Sequence, residues 1–86
     1  MWINGQVVDN HGRPLPDVTI EALGRQHSTD QRIATSNARG QYVICDLRPG
    51  TYTVTFARPG FLTQRQISPL ANYVATINAE LQAIGS

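Results

Sequence analysis

The chain has 86 residues, a hydrophobic fraction of 41%, a charged fraction of 15% and a net charge of +1. That length fits one small domain with a simple core, and the composition is too apolar and too weakly charged for a disordered tail. Near-neutral charge argues against a general basic field for nucleic acid, no apolar run approaches the ~18 residues of a membrane span, and the lone Cys45 excludes an internal disulfide or a thiolate zinc cluster.

Strand-like residues begin beside Met1, so no signal peptide is expected; the chain either stays inside the cell or is a module of a larger exported one. Ile3, Gly5 and Val7 share one phase of the first strand, which sets Trp2 on the opposite phase with Asn4 and Gln6. A turn follows at Asn10-His11-Gly12 and another at Pro14 to Asp17. Val18, Ile20 and Ala22 then alternate with Thr19 and Glu21. A weaker run, Arg32 to Ser36, leads into the turn Asn37 to Gly40. Tyr42 and Ile44 alternate with Gln41, Val43 and Cys45 in the next strand.

Cys45 to Tyr52 is expected to be a hairpin. Pro49 presets φ for the second turn position and Gly50 supplies the positive φ of a type II turn, while Leu47 folds over the open end of the core. Tyr52, Val54 and Phe56 alternate with threonines. A turn at Arg58-Pro59-Gly60 precedes the mixed run Phe61 to Ile67, where Arg65 shares a phase with apolar residues and marks an edge or a bulge. Ser68-Pro69 is a further break, and all five prolines fall in breaks. Last come Tyr73, Ala75, Ile77, Ala79 and Leu81, alternating with polar or β-branched neighbours; the β-branched centre favours a strand over a helix. About seven short strands separated by turns predict an all-β, two-sheet sandwich occupying residues 1–86 as a single domain.

Gly5-Gln6-Val7-Val8-Asp9, Gly12-Arg13-Pro14-Leu15-Pro16-Asp17-Val18-Thr19-Ile20, Gly40-Gln41-Tyr42-Val43-Ile44, Leu47-Arg48-Pro49-Gly50-Thr51-Tyr52-Thr53-Val54 and Pro59-Gly60-Phe61 together resemble the carboxypeptidase regulatory-like domain. The resemblance runs from Ile3 to Leu81. It implies a seven-stranded prealbumin-like (Ig-like, Greek-key) sandwich, similar in fold to some starch-binding modules. It also implies a module of a larger, exported bacterial protein such as a peptidase, a TonB-dependent receptor or a secretion-system spike, and so a periplasmic, cell-surface or secreted location. One departure is Arg39, which stands where that family carries Asp or Asn ahead of the glycine; Asn37 is expected to cap the turn instead.

Chemistry is sparse. His11 and His27 sit in polar loops with no partner motif, as expected of solvated side chains rather than of a general base. His11, His27, Asp9, Asp17 and Asp30 lack a metal-ligand spacing, and Asp9 with Asp17 is expected to cap the loop from Gly12 to Pro16. Cys45 has no cationic neighbour in sequence and reads as a bland, partly covered thiol. The fold-related hydroxyisourate hydrolases end in Tyr-Arg-Gly-Ser, whereas this chain ends Ala83-Ile84-Gly85-Ser86, without the tyrosine and arginine. All seven basic residues are arginine, so no lysine exists to form an isopeptide cross-link.

The expected role is therefore a non-catalytic spacer, folding aid or docking module without a cofactor. It would contact covalently linked domains or a protein partner through Trp2, Arg39, Arg58 and Arg65, and through loops or an edge strand. The alternative is a carbohydrate-binding module using Trp2 as its platform, since Tyr42, Tyr52, Phe56 and Tyr73 share the buried phase and Phe61 lies at a core edge.

Overall fold

The computed structural model describes residues 1–25, 31–71 and 73–84. It contains the strands β1 (Trp2–Asp9), β2 (Thr19–Gly24), β3 (Gln31–Thr35), β4 (Gln41–Ile44), β5 (Gly50–Ala57), β6 (Gln64–Leu70), β7 (Val74–Thr76) and β8 (Ala79–Leu81). They form two sheets. Sheet I has the order β4-β1-β7 with β8 also on β1, and sheet II has the order β3-β2-β5-β6. No helix among the described residues is long and apolar enough to cross a membrane.

Alternation builds the core as the sequence predicts. Ile3, Val7, Tyr42, Ile44, Ile77, Ala79 and Leu81 face inward from sheet I; Ile20, Ala22, Tyr52, Val54, Phe56 and Leu70 meet them from sheet II. Tyr42 and Phe56 touch edge to face across the gap, centroids 5.8 Å apart. Leu15, Val18 and Leu47 close the core from connecting segments, Leu47 as expected.

Four expectations are corrected. The final run is two strands, so there are eight rather than seven. β7 and β8 both lie parallel to β1, at Trp2–Asn4 and Val7–Asp9, and the ladder breaks at Ile77-Asn78. There the Ile77 N–H donates to the Asn4 carbonyl (2.8 Å) and the Asn78 Oδ1 accepts the Gln6 N–H (2.9 Å), a side chain standing in for a backbone acceptor. Tyr73, read as buried, is 79% exposed, because β7 starts one residue later and parity buries a side chain only within a paired strand. Cys45 to Tyr52 is not a hairpin: β4 pairs with β1, whereas β5 pairs with β2 and β6, so Asp46 to Pro49 carries the chain from one sheet to the other. Gly50 has φ 153° as the first residue of β5, not the value near +80° that a type II turn requires. Finally, Ser68-Pro69 is no break. Both residues lie in β6, where Pro69 sits opposite Thr51 on an edge strand that needs no N–H from it.

Candidate functional site

The outward residues of sheet I lie in rows. Trp2 stands beside Val74; Asn4 lies between Thr76 and Val43; Gln6 lies between Asn78 and Gln41. Successive rows are about 6.7 Å apart, two residues along a strand. An open groove of about 620 Å³ follows the second and third rows, lined by Asn4, Gly5, Gln6, Thr35, Asn37, Gln41, Tyr42, Val43 and Asn78. A second depression of about 350 Å³ shares Gln6 and Asn78 and continues to Val8, Ala79 and Glu80.

Two close approaches set this surface. Tyr42 donates its hydroxyl to the Ile77 carbonyl (2.6 Å), and a Cβ at position 5 would overlap that same carbonyl oxygen. Gly5 is thus the residue that lets the interrupted strand lie against β1. Burial pushes the Tyr42 phenol well above its ordinary range. At the turn, Gly40 takes φ 73°, and the Asn37 Oδ1 accepts the N–H groups of Arg39 and Gln41 (2.9 Å each), the cap expected of it.

The groove amides are half used. Asn78 and Asn37 spend their oxygens on backbone N–H groups, and Gln6 Nε2 donates to the Arg39 carbonyl (2.9 Å). Backbone partners leave no ambiguity about which end is which. The Asn4 Oδ1 accepts the Thr76 hydroxyl (2.8 Å). Among the described residues the NH2 groups of Asn4, Asn37 and Asn78 and the carbonyl of Gln6 have no partner, and the other half of each side chain holds it in place. No side chain lining the larger depression is charged.

Elsewhere, Asp9 caps the Asn10–Arg13 turn, ahead of most of the Gly12 to Pro16 loop expected of it. Its Oδ1 accepts the N–H groups of His11 (2.8 Å) and Arg13 (3.0 Å), and the Arg13 bond, ahead of that from His11, holds the carboxyl below the usual range. Asp17 contributes differently, through a φ of 61° and its N–H to the Ser36 carbonyl. Ser36 ties that segment down from a buried position, its hydroxyl accepting from Val18 N (2.9 Å) and donating to Leu15 O (2.8 Å). Cys45 is exposed rather than partly covered, because β4 ends at Ile44 and the thiol lies past its ladder. Among the described residues no group of three or more His, Cys, Asp or Glu converges to hold a metal ion. His27, Asp30, Gly85 and Ser86 lie outside the described residues.

The four residues expected to make contacts are dispersed. Trp2, 42% exposed, stands on the outer face of sheet I, and Arg39 borders the groove through its carbonyl. Arg58 stacks 5.5 Å from the Phe61 ring centroid, and Arg65 faces outward on sheet II opposite Thr55.

Residues 2–82 match the carboxypeptidase regulatory-like domain model. The chain belongs to that family. Carboxypeptidase M of Mus musculus is 38% identical to the regulatory-like domain over 60 residues, which are 70% of this chain and 13% of that protein. In fold, the domain is similar to a chain of a type II cohesin–X-dockerin complex from Acetivibrio cellulolyticus, with TM-score 0.77, 17% identity and coverage of 96% of this chain and 58% of that one. Catechol 1,2-dioxygenase from Pseudomonas arvilla is another neighbour, with TM-score 0.73 and 15% identity over 100% of this chain and 53% of that one. At such identities only the sandwich is shared.

Periodicity did not reveal Tyr73 as an exposed aromatic or the amide face as a unit. Tyr73 is tied to the first strand by its carbonyl, which accepts the Trp2 N–H (2.9 Å). The alternation of Asn4 and Gln6 with Ile3 and Val7 did mark those two as outward. Their alignment with Gln41 and Asn78 depends on pairings of high sequence separation that no local pattern specifies.

Proposed function

We propose that this regulatory-like domain is a non-catalytic accessory module of a larger protein, a single unit over residues 1–86 that docks against its neighbours. One observation carries the reading: the match to carboxypeptidase M occupies most of this chain but 13% of that protein, as an accessory segment of a larger polypeptide would. Packing agrees with it. The large inward side chains fill the space between the sheets, and among the described residues no three His, Cys, Asp or Glu side chains converge. The docking face is the outer side of sheet II, where Leu23, Ile33 and Ile67 are exposed beside Arg65, with β6 as an edge bearing proline and charge against uncontrolled strand pairing.

The test compares the isolated domain with the same domain joined to its flanking polypeptide, by hydrogen exchange and thermal melting. Joining should protect β3 and β6 and raise the melting temperature, and Ile67→Glu should erase both effects. Equal protection in the two forms, or turnover of peptide or ester substrates that disappears in His11→Ala, would overturn the proposal.

A further inference from the structure

We infer that the outer face of sheet I is a binding site for a neutral oligosaccharide. The inference does not depend on the docking face of sheet II, which lies on the opposite side of the sandwich. Three features converge. Trp2 is exposed at one end of the face, in the same row as the exposed Val74, so an aromatic ring and an aliphatic side chain lie there. Next to them, Asn4, Asn37 and Asn78 present NH2 donors and Gln6 a carbonyl acceptor, each fixed by a hydrogen bond from its other end. The two depressions share Gln6 and Asn78, so the site is a trough rather than a single hole.

The ligand chemistry follows. A sugar hydroxyl is both donor and acceptor and therefore pairs with either end of an amide, while the C–H face of a pyranose lies against an aromatic ring. Pre-oriented amides lose little side-chain entropy on binding. The larger depression has no charged side chain and the second adds only the carboxylate of Glu80, so the lining offers no cation to a phosphate or sulfate, and the elongated trough suits several units in a chain. A β-strand peptide fits less well: β4 has four residues, and Asn37 already satisfies Gln41 by donating its N–H to the Gln41 carbonyl and accepting the Gln41 N–H.

The experiment titrates maltohexaose, cellohexaose, xylohexaose and chitohexaose to about 10 mM, a range suited to weak binding. Fluorescence of Trp2, the only tryptophan, and the side-chain NH2 signals of Asn4, Asn37, Gln41 and Asn78 report binding. At least one glycan should give a saturable change in both. Trp2→Ala should weaken it about tenfold, and Gln41→Ala about threefold. Arg13→Ala, in the far turn, should leave it unchanged, and melting curves show that each variant is folded. Silence toward all four glycans overturns the proposal. So does binding that survives Trp2→Ala and Gln41→Ala in folded protein, or chemical shifts confined to sheet II.

Discussion

Sheet II and sheet I bound the same core but hold their shape by different means. Sheet II is antiparallel throughout, with β2 and β5 paired over six positions and β5 and β6 over seven, so its regularity comes from continuous ladders. Sheet I is built around one strand, β1, with a short antiparallel partner on one side and two short parallel ones on the other. Where its parallel ladder breaks, a glycine, a tyrosine hydroxyl and an asparagine side chain take over. Regularity leaves sheet II with an outer face of threonines and scattered aliphatics. Interruption leaves sheet I with amides already anchored at one end, the arrangement suited to holding a ligand.

Substitutions can break that contrast. The largest loss is expected in sheet II for Tyr52→Ala, which empties a fully buried ring site and removes the hydroxyl donor to Arg48 O; chemical denaturation should register about 3–5 kcal/mol. Gly5→Ala should cost about 3 kcal/mol or more although it adds one methyl, since the Ile77 carbonyl must move, and the damage should concentrate in exchange of β1, β7 and β8 amides. An innocuous Gly5→Ala would show that the parallel strands are only loosely held.

Ser36→Ala orphans Val18 N and Leu15 O in the segment leading from sheet I to β2 and should lower stability by about 1–3 kcal/mol. Tyr42→Phe should cost about 1–2 kcal/mol by leaving the Ile77 carbonyl unpaired. It carries a pH signature as well. The folded phenol titrates above its unfolded value, so its contribution is fully present below about pH 10 and is lost as the pH rises toward the folded value; Tyr42→Phe should flatten that alkaline limb. Asp9→Asn should show the smallest effect, of opposite sense. The folded carboxyl titrates below its unfolded value, so its contribution is present above about pH 4 and fades as the pH falls through the folded value, a dependence the variant removes.

How much could be read in advance follows the same division. Ile20, Ala22, Tyr52, Val54 and Phe56 announce their inward face because long ladders enforce a period of two over their whole length. The final run obeys that period from Ile77 to Leu81 and fails at Tyr73, which lies beyond the paired residues. Pro49-Gly50 resembles a reversal but serves a sheet crossing, since the dipeptide specifies local backbone and not which sheet the next strand joins. The candidate site was legible only in part: Trp2 as outward, Asn37 as a cap, and no sign that Asn78 would stand beside Gln6.

The order of apolar and polar residues in this chain was enough to determine an all-β sandwich and most of the side chains inside it, because burial by alternate residues is a local property of a strand. Its recurrent glycine, proline and aromatic positions were enough to reveal the family. Which strands became neighbours in sheet I, and therefore which amides share a surface, was decided by contacts between the two ends of the chain. Gly5 meets Ile77, Gln6 meets Asn78, and the Trp2 backbone meets that of Tyr73 only where the last part of the chain pairs with the first strand.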